Sequence, residues 1–308
     1  AAVREVMIVG VGQTPYESSK PHQSIPEMVL EAVEQALNDA RIPMEEIESA
    51  VTASVDLWDG RTASNVQVTE VVGAVMKPEA RVAGDGLLAA LHAAMTILSG
   101  AYATVLVVAH CKMSEGDHWT CSNWAMDPIY QQTLGLDFLS AAGLQARAYR
   151  ERHGVGEAHW TRVVEKNRLN SLKNRLARAG VDHAVGEASA SSIVADPLRI
   201  LDVAPLADGA CALVLAGTER ARAVRSARPV ALLGFGYASE AHYLGDRDLA
   251  EPRALAAASR RAKSPRGVAG SPRSSRGPAG PRMSRSLRQR TRNIRLLVMD
   301  VDGVLTDG

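Results

Sequence analysis

The sequence predicts an α/β fold, a mixed, mainly parallel sheet with helices on both faces and one long insertion. Three observations carry this. Short apolar runs alternate with segments whose apolar residues recur at helical spacing, an order that implies crossovers between strands pointing the same way. Hydrophobic residues make up 46% of the 308 residues, chiefly Ala, Val and Leu, while aromatic residues make up only 4%. Such a core suits helices packed on a sheet better than an aromatic-rich sandwich. Third, runs such as ATVLVVA (103–109) are continuous enough to be strands buried on both faces.

The elements follow in order. Residues 5–11 (EVMIVGV) form a first strand, with Gly10-Val11-Gly12 read as a tight turn at its end. Ser24 and Glu27 have capping-box spacing around Pro26, and Val29, Val33, Leu37 and Ala40 continue a helix. A second strand is expected at 48–54, a helix at 62–75 and a short strand at 80–83. Asp85 then opens a helix whose Leu87, Leu88, Leu91, Met95 and Leu98 are expected to face a core, and Gly100 closes it. From 112 to about 196 the text turns polar, with helices near 136–152 and 156–178, and reads as a lid between two strands. Strand character returns at 210–216 (ACALVLA) and 230–237 (VALLGFGY).

Charge divides the chain. Between Arg253 and Arg295 there are 13 Lys+Arg and no acidic residue, which leaves residues 1–252 with 22 basic against 31 acidic, a balance of −9. Residues 1–262 therefore read as one acidic globular domain and 263–293, rich in Pro, Gly, Ser and Arg, as a disordered basic linker. A separate short piece, 294–308, follows it. The linker has no aromatic residue for base stacking, which argues against nucleic acid as its partner. No apolar run approaches the roughly 20 residues of a membrane span. The start lacks the basic flank of a signal peptide. The three cysteines, Cys111, Cys121 and Cys211, form no CxxC, so a reducing, cytoplasmic setting is expected.

Two possible motifs carry little. Gly10-Val11-Gly12 lacks the third glycine and the acidic residue of a dinucleotide site. His110, Cys111, His118 and Cys121 are dense but match no zinc spacing, and His110 and Cys111 would point to opposite faces of a strand.

Four stretches together resemble the thiolase superfamily, especially its sterol-carrier-type and lipid-transfer-type members. They are VGVGQTPY after the first strand, RVAGDGLLAALHAAMTILSGAYATVLVVAHCKMSE (81–115), KNRLNSLKN (166–174) and DVAPLADGACALVLAG (202–217). A thiolase attacks an acyl-CoA thioester with a thiolate at a helix amino terminus, where the dipole lowers its pKa. The resemblance puts that cysteine at Ala83, so the nucleophile is missing. Asp85 could be an acid/base group beside a bound acyl chain or simply a helix cap. Lys166, Arg168 and Asn170 fall where the resemblance implies contacts to coenzyme A, and a solvated helix face is the alternative. Asp208-Gly209 reads as a structural turn opening a strand.

The resemblance covers the first of the family's two repeats and, at 251–262, the opening helix of the second. The second repeat's catalytic histidine and second cysteine have no counterpart after residue 260. The expectation is therefore an acyl-CoA-binding protein of the class that forms or cleaves carbon–carbon bonds, impaired in catalysis, with a coenzyme A thioester as substrate or ligand and no other cofactor. The alternative is a non-catalytic acyl-CoA or lipid-binding subunit paired with a small partner protein. A homodimer or hetero-oligomer is expected either way.

The last residues resemble something else. DVDGVLTDG (300–308) is similar to the opening motif of haloacid-dehalogenase-type phosphatases, closest to those acting on 3-deoxy-manno-octulosonate 8-phosphate. By that resemblance Asp300 would be the nucleophile and Asp302 the acid/base, after an apolar strand at 294–299. The remaining parts of such a site are not in the sequence. A frameshift or gene fusion joining two families' text explains the abrupt basic junction most simply.

Overall fold

A computed structural model describes residues 5–177, 188–224 and 229–263, and the backbone of Val298–Val301. The chain begins with β1 (Val6–Gln13), α1 (Ile25–Ala40), β2 (Ser49–Ser54), α2 (Asn65–Val68), β3 (Glu79–Ala83), α3 (Gly86–Ser99) and β4 (Thr104–Lys112). The lid contributes α4 (His118–Trp124), α5 (Phe138–His153), α6 (Glu157–Ser171) and the small antiparallel pair β5 (Ile193–Ala195) and β6 (Leu198–Arg199). The chain then returns through β7 (Asp208–Gly217), α7 (Thr218–Ala223), β8 (Val230–Leu232), β9 (Phe235–Ala238) and α8 (Arg253–Lys263), with β10 at Val298–Val301.

Six strands form the main sheet in the order β3-β2-β4-β7-β1-β8. β2 pairs in parallel with β3 and β4, while β7 is antiparallel to β4 and β1, and β8 is antiparallel to β1. Four of the six strands therefore share one direction, and the sheet is mixed, as the sequence predicts.

α1 covers one face. Its capping box is complete: the Ser24 N–H donates to Glu27 Oε2 at 2.6 Å, and the Glu27 N–H donates back to Ser24 Oγ. Met28, Val29, Ala32, Val33 and Ala36 pack on Met7, Val9, Leu106, Val108 and Val214. The close seat of this helix explains the two glycines. A Cβ on Gly10 would lie 2.2 Å from Ala36 O, and one on Gly12 would lie 2.0 Å from Ala32 O. Gly10-Val11-Gly12 is thus the middle of β1, bare so that α1 can approach, and not a turn after it.

α3 covers the other face, turned differently from the expectation. Ala89, Ala90, Ala93, Ala94 and Ile97 meet Val51, Ala53, Val105 and Val107, while Leu87 and Met95 are exposed. Small side chains let the helix sit close to the sheet. Leu91 is buried and Leu98 packs partly against the same cluster, as expected, while Leu87 and Met95 point away. The helix expected over 62–75 shortens to Asn65–Val68, because Gly73 and Met76 take left-handed backbone conformations. The strand expected at 230–237 is two strands. Gly234 and Gly236 come so close to α8 that a Cβ would lie 2.0 and 2.1 Å from Ala262 O and Ala258 O. β9 leaves the main sheet and pairs in parallel with β10.

Asp300 falls inside β10, and Asp302, with residues 264–297, lies outside the described residues. Among the described residues, no helix is long and apolar enough to cross a membrane.

Candidate functional site

Ala83 ends β3 and α3 begins at Gly86, so the residues Ala83-Gly84-Asp85 form a strand-to-helix junction. Ala83 and Asp85 are exposed there. Asp85 is the N-cap: its Oδ1 accepts the Leu88 N–H at 2.8 Å. Other amide groups of the first turn remain available, and a helix amino terminus favours negative charge. A Cβ on Gly86 would lie 3.0 Å from Ala109 Cβ, so the glycine lets the helix start press against β4. The site is an amide-lined, positively polarised helix end with no nucleophile at position 83.

Beside it lies a polar network that the sequence reading missed. Ser54 pairs with Ala83 across β2 and β3. Just past it, Asp56 is 5% exposed and accepts four contacts. Ser54 Oγ and Ser64 Oγ each donate to Oδ1 at 2.6 Å, the Ser64 N–H donates to Oδ2 at 2.8 Å, and Arg81 Nη2 sits 2.8 Å from Oδ2. Burial alone would raise its pKa, but these hydrogen bonds and the guanidinium outweigh burial and hold the carboxyl below the usual range. Ser64 Oγ also lies 2.9 Å from Ser54 Oγ and 3.4 Å from His110 Nε2, contacts in which either partner can donate. His110 Nδ1 is buried and has no partner. Burial pulls the His110 pKa down to about 4, so the ring is neutral at pH 7.

Strand alternation sets this network apart from α3. Leu106 and Val108 belong to the α1 side, Val107 and Ala109 to the α3 side, so His110 faces α1. The network braces the sheet behind the junction. The signal available in the sequence was the cluster of short polar residues, SVDLWDG, directly after a buried strand.

Asp208 ties three distant segments together. It is fully buried, and its oxygens accept the Lys20 N–H at 2.8 Å, the Ser114 N–H at 2.9 Å and the Ser114 hydroxyl at 2.7 Å. A Cβ on Gly209 would strike the Tyr16 ring at 2.6 Å. Asp208 and Gly209 are structural, as the sequence reading has it, but they lie inside β7, paired with Lys112 and Cys111, and not in a turn before it.

No cysteine is placed as a thiolate. Burial pushes the Cys111 thiol up to about 12, and its Sγ contacts Ala207 O. Burial also raises Cys121, whose thiol donates to Leu57 O, and Cys211. His110, Cys111, His118 and Cys121 therefore serve separate contacts. Among the described residues, no group of three or more His, Cys, Asp or Glu is arranged to hold a metal.

In the lid, Lys166 and Asn170 are exposed and, four residues apart, share one face of α6. Arg168 turns the other way. Its Nη2 donates to Leu201 O at 2.7 Å, and its Nε has no partner. The structure therefore brings Lys166 and Asn170 together and sets Arg168 to brace α6.

No protein-family model matches the chain. It is 28% identical over 229 residues to an acetyl-CoA acetyltransferase of Methanocaldococcus jannaschii, covering 71% of this chain and 57% of that protein. It is 27% identical over 232 residues to human sterol carrier protein 2, covering 70% of this chain and 42% of that one. The chain thus spans about half the length of these curated relatives. Among solved structures, an Ltp2-ChsH2(DUF35) aldolase superposes with a TM-score of 0.68 at 21% identity, over 82% of this chain and 66% of that one. A monomeric SCP2-thiolase-like protein type 1 from Mycobacterium smegmatis superposes with a TM-score of 0.63 at 22% identity, over 86% and 57%. The fold is thiolase-like.

Proposed function

We propose that this thiolase-fold chain is an acyl-CoA-binding protein of the class that forms or cleaves carbon–carbon bonds beside a thioester, and that it lacks cysteine-dependent acyl transfer. The observation that carries this is the β3–α3 junction: Ala83 stands exposed at a helix amino terminus whose amides can polarise a thioester oxygen, with no nucleophile there. Asp85 holds the first turn in place and lies close enough in sequence to meet an acyl group. Lys166 and Asn170 supply exposed donors for the phosphates and amides of coenzyme A, and Arg168 fixes the helix that presents them. No metal or second cofactor is needed for any of these roles.

Titration calorimetry with acetyl-CoA and longer acyl-CoA tests this. Binding should weaken with salt and fall further in Lys166→Ala. Intact mass should show no acyl-enzyme for the unmodified chain and at most one slowly formed adduct for Ala83→Cys. Steady release of coenzyme A by the unmodified chain would overturn the reading, as would salt-insensitive binding.

A second reading is favoured by one structural neighbour, an aldolase formed of two proteins, Ltp2 and ChsH2(DUF35). On this reading the chain is a non-catalytic acyl-CoA or lipid-binding subunit, and activity or tight binding requires a small partner protein. Light scattering on the purified chain, alone and with a candidate partner, separates a homodimer from an incomplete hetero-oligomer.

A further inference from the structure

The loop from 55 to 64 joins the sheet to the lid, and its contacts do so side chain by side chain. Trp58 stacks on Phe138 of α5 with ring centroids 4.8 Å apart and lies 6.2 Å from the His118 ring of α4. The Cys121 thiol of α4 donates to Leu57 O. Gly116 is glycine of necessity, because a Cβ there would lie 1.7 Å from Trp58 O. Between these grips, Asp59 plugs into the sheet's upper edge, where its Oδ1 accepts the Lys112 N–H at 2.8 Å.

Asp59 is 2% exposed, and its Oδ2 has no partner. Of the nearby cations, Arg61 lowers the Asp59 pKa only in part, and its Nε is buried without a partner. Arg61 pairs with Glu115, and Lys112 Nζ pairs with Glu115 at 2.5 Å. The other ionisable groups around it are Asp56 in its own loop, Cys111 at the end of β4 and Asp208 at the start of β7, with His118 beyond Trp58. A buried carboxyl facing two carboxylates with one unsatisfied oxygen is a poor place for a charge.

We propose that this loop is a proton-controlled clasp: with Asp59 protonated it holds the lid to the sheet, and with Asp59 ionised it lets go. Burial, with Asp56 and Asp208 nearby, moves the Asp59 pKa from 3.8 to about 6. For an acid raised in the folded state, the cost of ionisation starts above the unfolded value and is complete above the folded one. The clasp therefore weakens as pH rises through about 6. This inference does not depend on what the lid covers, so it can fail while the thioester reading stands.

Hydrogen–deuterium exchange of the full chain tests it, after dividing out the intrinsic pH dependence of amide exchange. Residues 55–64 and 117–145 should exchange several-fold faster above the transition than below it. In Asp59→Asn, which keeps the acceptor for Lys112 but carries no charge, protection should be equal on both sides. Glu115→Gln frees Arg61 and Lys112 to face Asp59 and should move the midpoint to lower pH. His118→Gln should leave it unchanged. Exchange that ignores pH in the unmodified chain overturns the clasp, and so does a transition that survives Asp59→Asn or vanishes in His118→Gln.

Discussion

α1 and α3 lie on opposite faces of the same sheet, yet they meet it by different means. α1 is amphipathic, with one buried stripe of Ile25, Met28, Val29, Ala32, Val33, Ala36 and Ala40 and a polar outer face. α3 is apolar over most of its surface, broken by His92, Thr96 and Ser99. Its alanines, Leu91 and Ile97 are buried, while Leu87 and Met95 face outward. The difference teaches that helical period locates a buried face only when the opposite face is polar. Where both are apolar, side-chain size decides, since the smaller stripe permits the closer approach.

The largest effect that would sharpen this contrast is on the α1 side. Gly12→Val puts a Cβ where Ala32 O already stands, so about 3 kcal/mol or more of stability should be lost. Gly86→Ala on the α3 side meets only Ala109 Cβ at 3.0 Å and should cost about 1 kcal/mol. Urea midpoints compare the two directly. Next come the methionines. Met28→Ala empties a fully buried site and should cost about 2–5 kcal/mol, whereas Met95→Ala, 47% exposed, should cost less than about 1 kcal/mol. Equal costs would mean that the outer stripe of α3 is covered in solution, and the contrast would break.

The caps come third. Ser24→Ala and Asp85→Ala should each lose about 1 kcal/mol, because each removes an acceptor for a first-turn amide. Asp85→Asn keeps a good cap and should hold stability, so any loss of ligand binding in that variant belongs to the carboxylate and not to the helix.

The smallest effect is a slope. His110 is pulled from 6.5 down to about 4, so the unfolded chain takes up a proton that the fold refuses. Stability should therefore fall as pH drops from about 6.5 towards 4, and His110→Gln should flatten that part of the curve. The sign is opposite to that of Asp59.

The sequence disclosed what repetition encodes. The continuous apolar runs gave the strands β1, β2, β4 and β7, and Ser24 with Glu27 gave the start of α1. The strand-to-helix junction at Ala83-Gly84-Asp85 was also legible, from the short strand expected at 80–83 and Asp85 as the opening of the next helix. Asp56 and His110 were not. Their environment is made by Ser54, Ser64 and Arg81, which meet only once β2, β3 and β4 lie side by side. Nor was the turn of α3 legible, since two apolar stripes of one helix look alike until a sheet selects between them. Arg168 was grouped with Lys166 and Asn170 by the resemblance, but the helix sends its side chain to Leu201 O.

The placement of β1 has a consequence for how the chain acquires its shape. β1 is the fifth strand in the sheet, and its two neighbours, β7 and β8, begin far along the chain at Asp208 and Val230. Until those residues exist, β1 can rest only on helices such as α1 and α3, with both edges open to any other extended segment. At about 5–20 residues per second of synthesis, β1 waits roughly 10–40 s for its first neighbour. The lid is made during that interval, before the sheet can close. High sequence separation of this kind slows folding. The stretch between Gln13 and Asp208 is therefore where a chaperone, or an early misstep, has the most time to act.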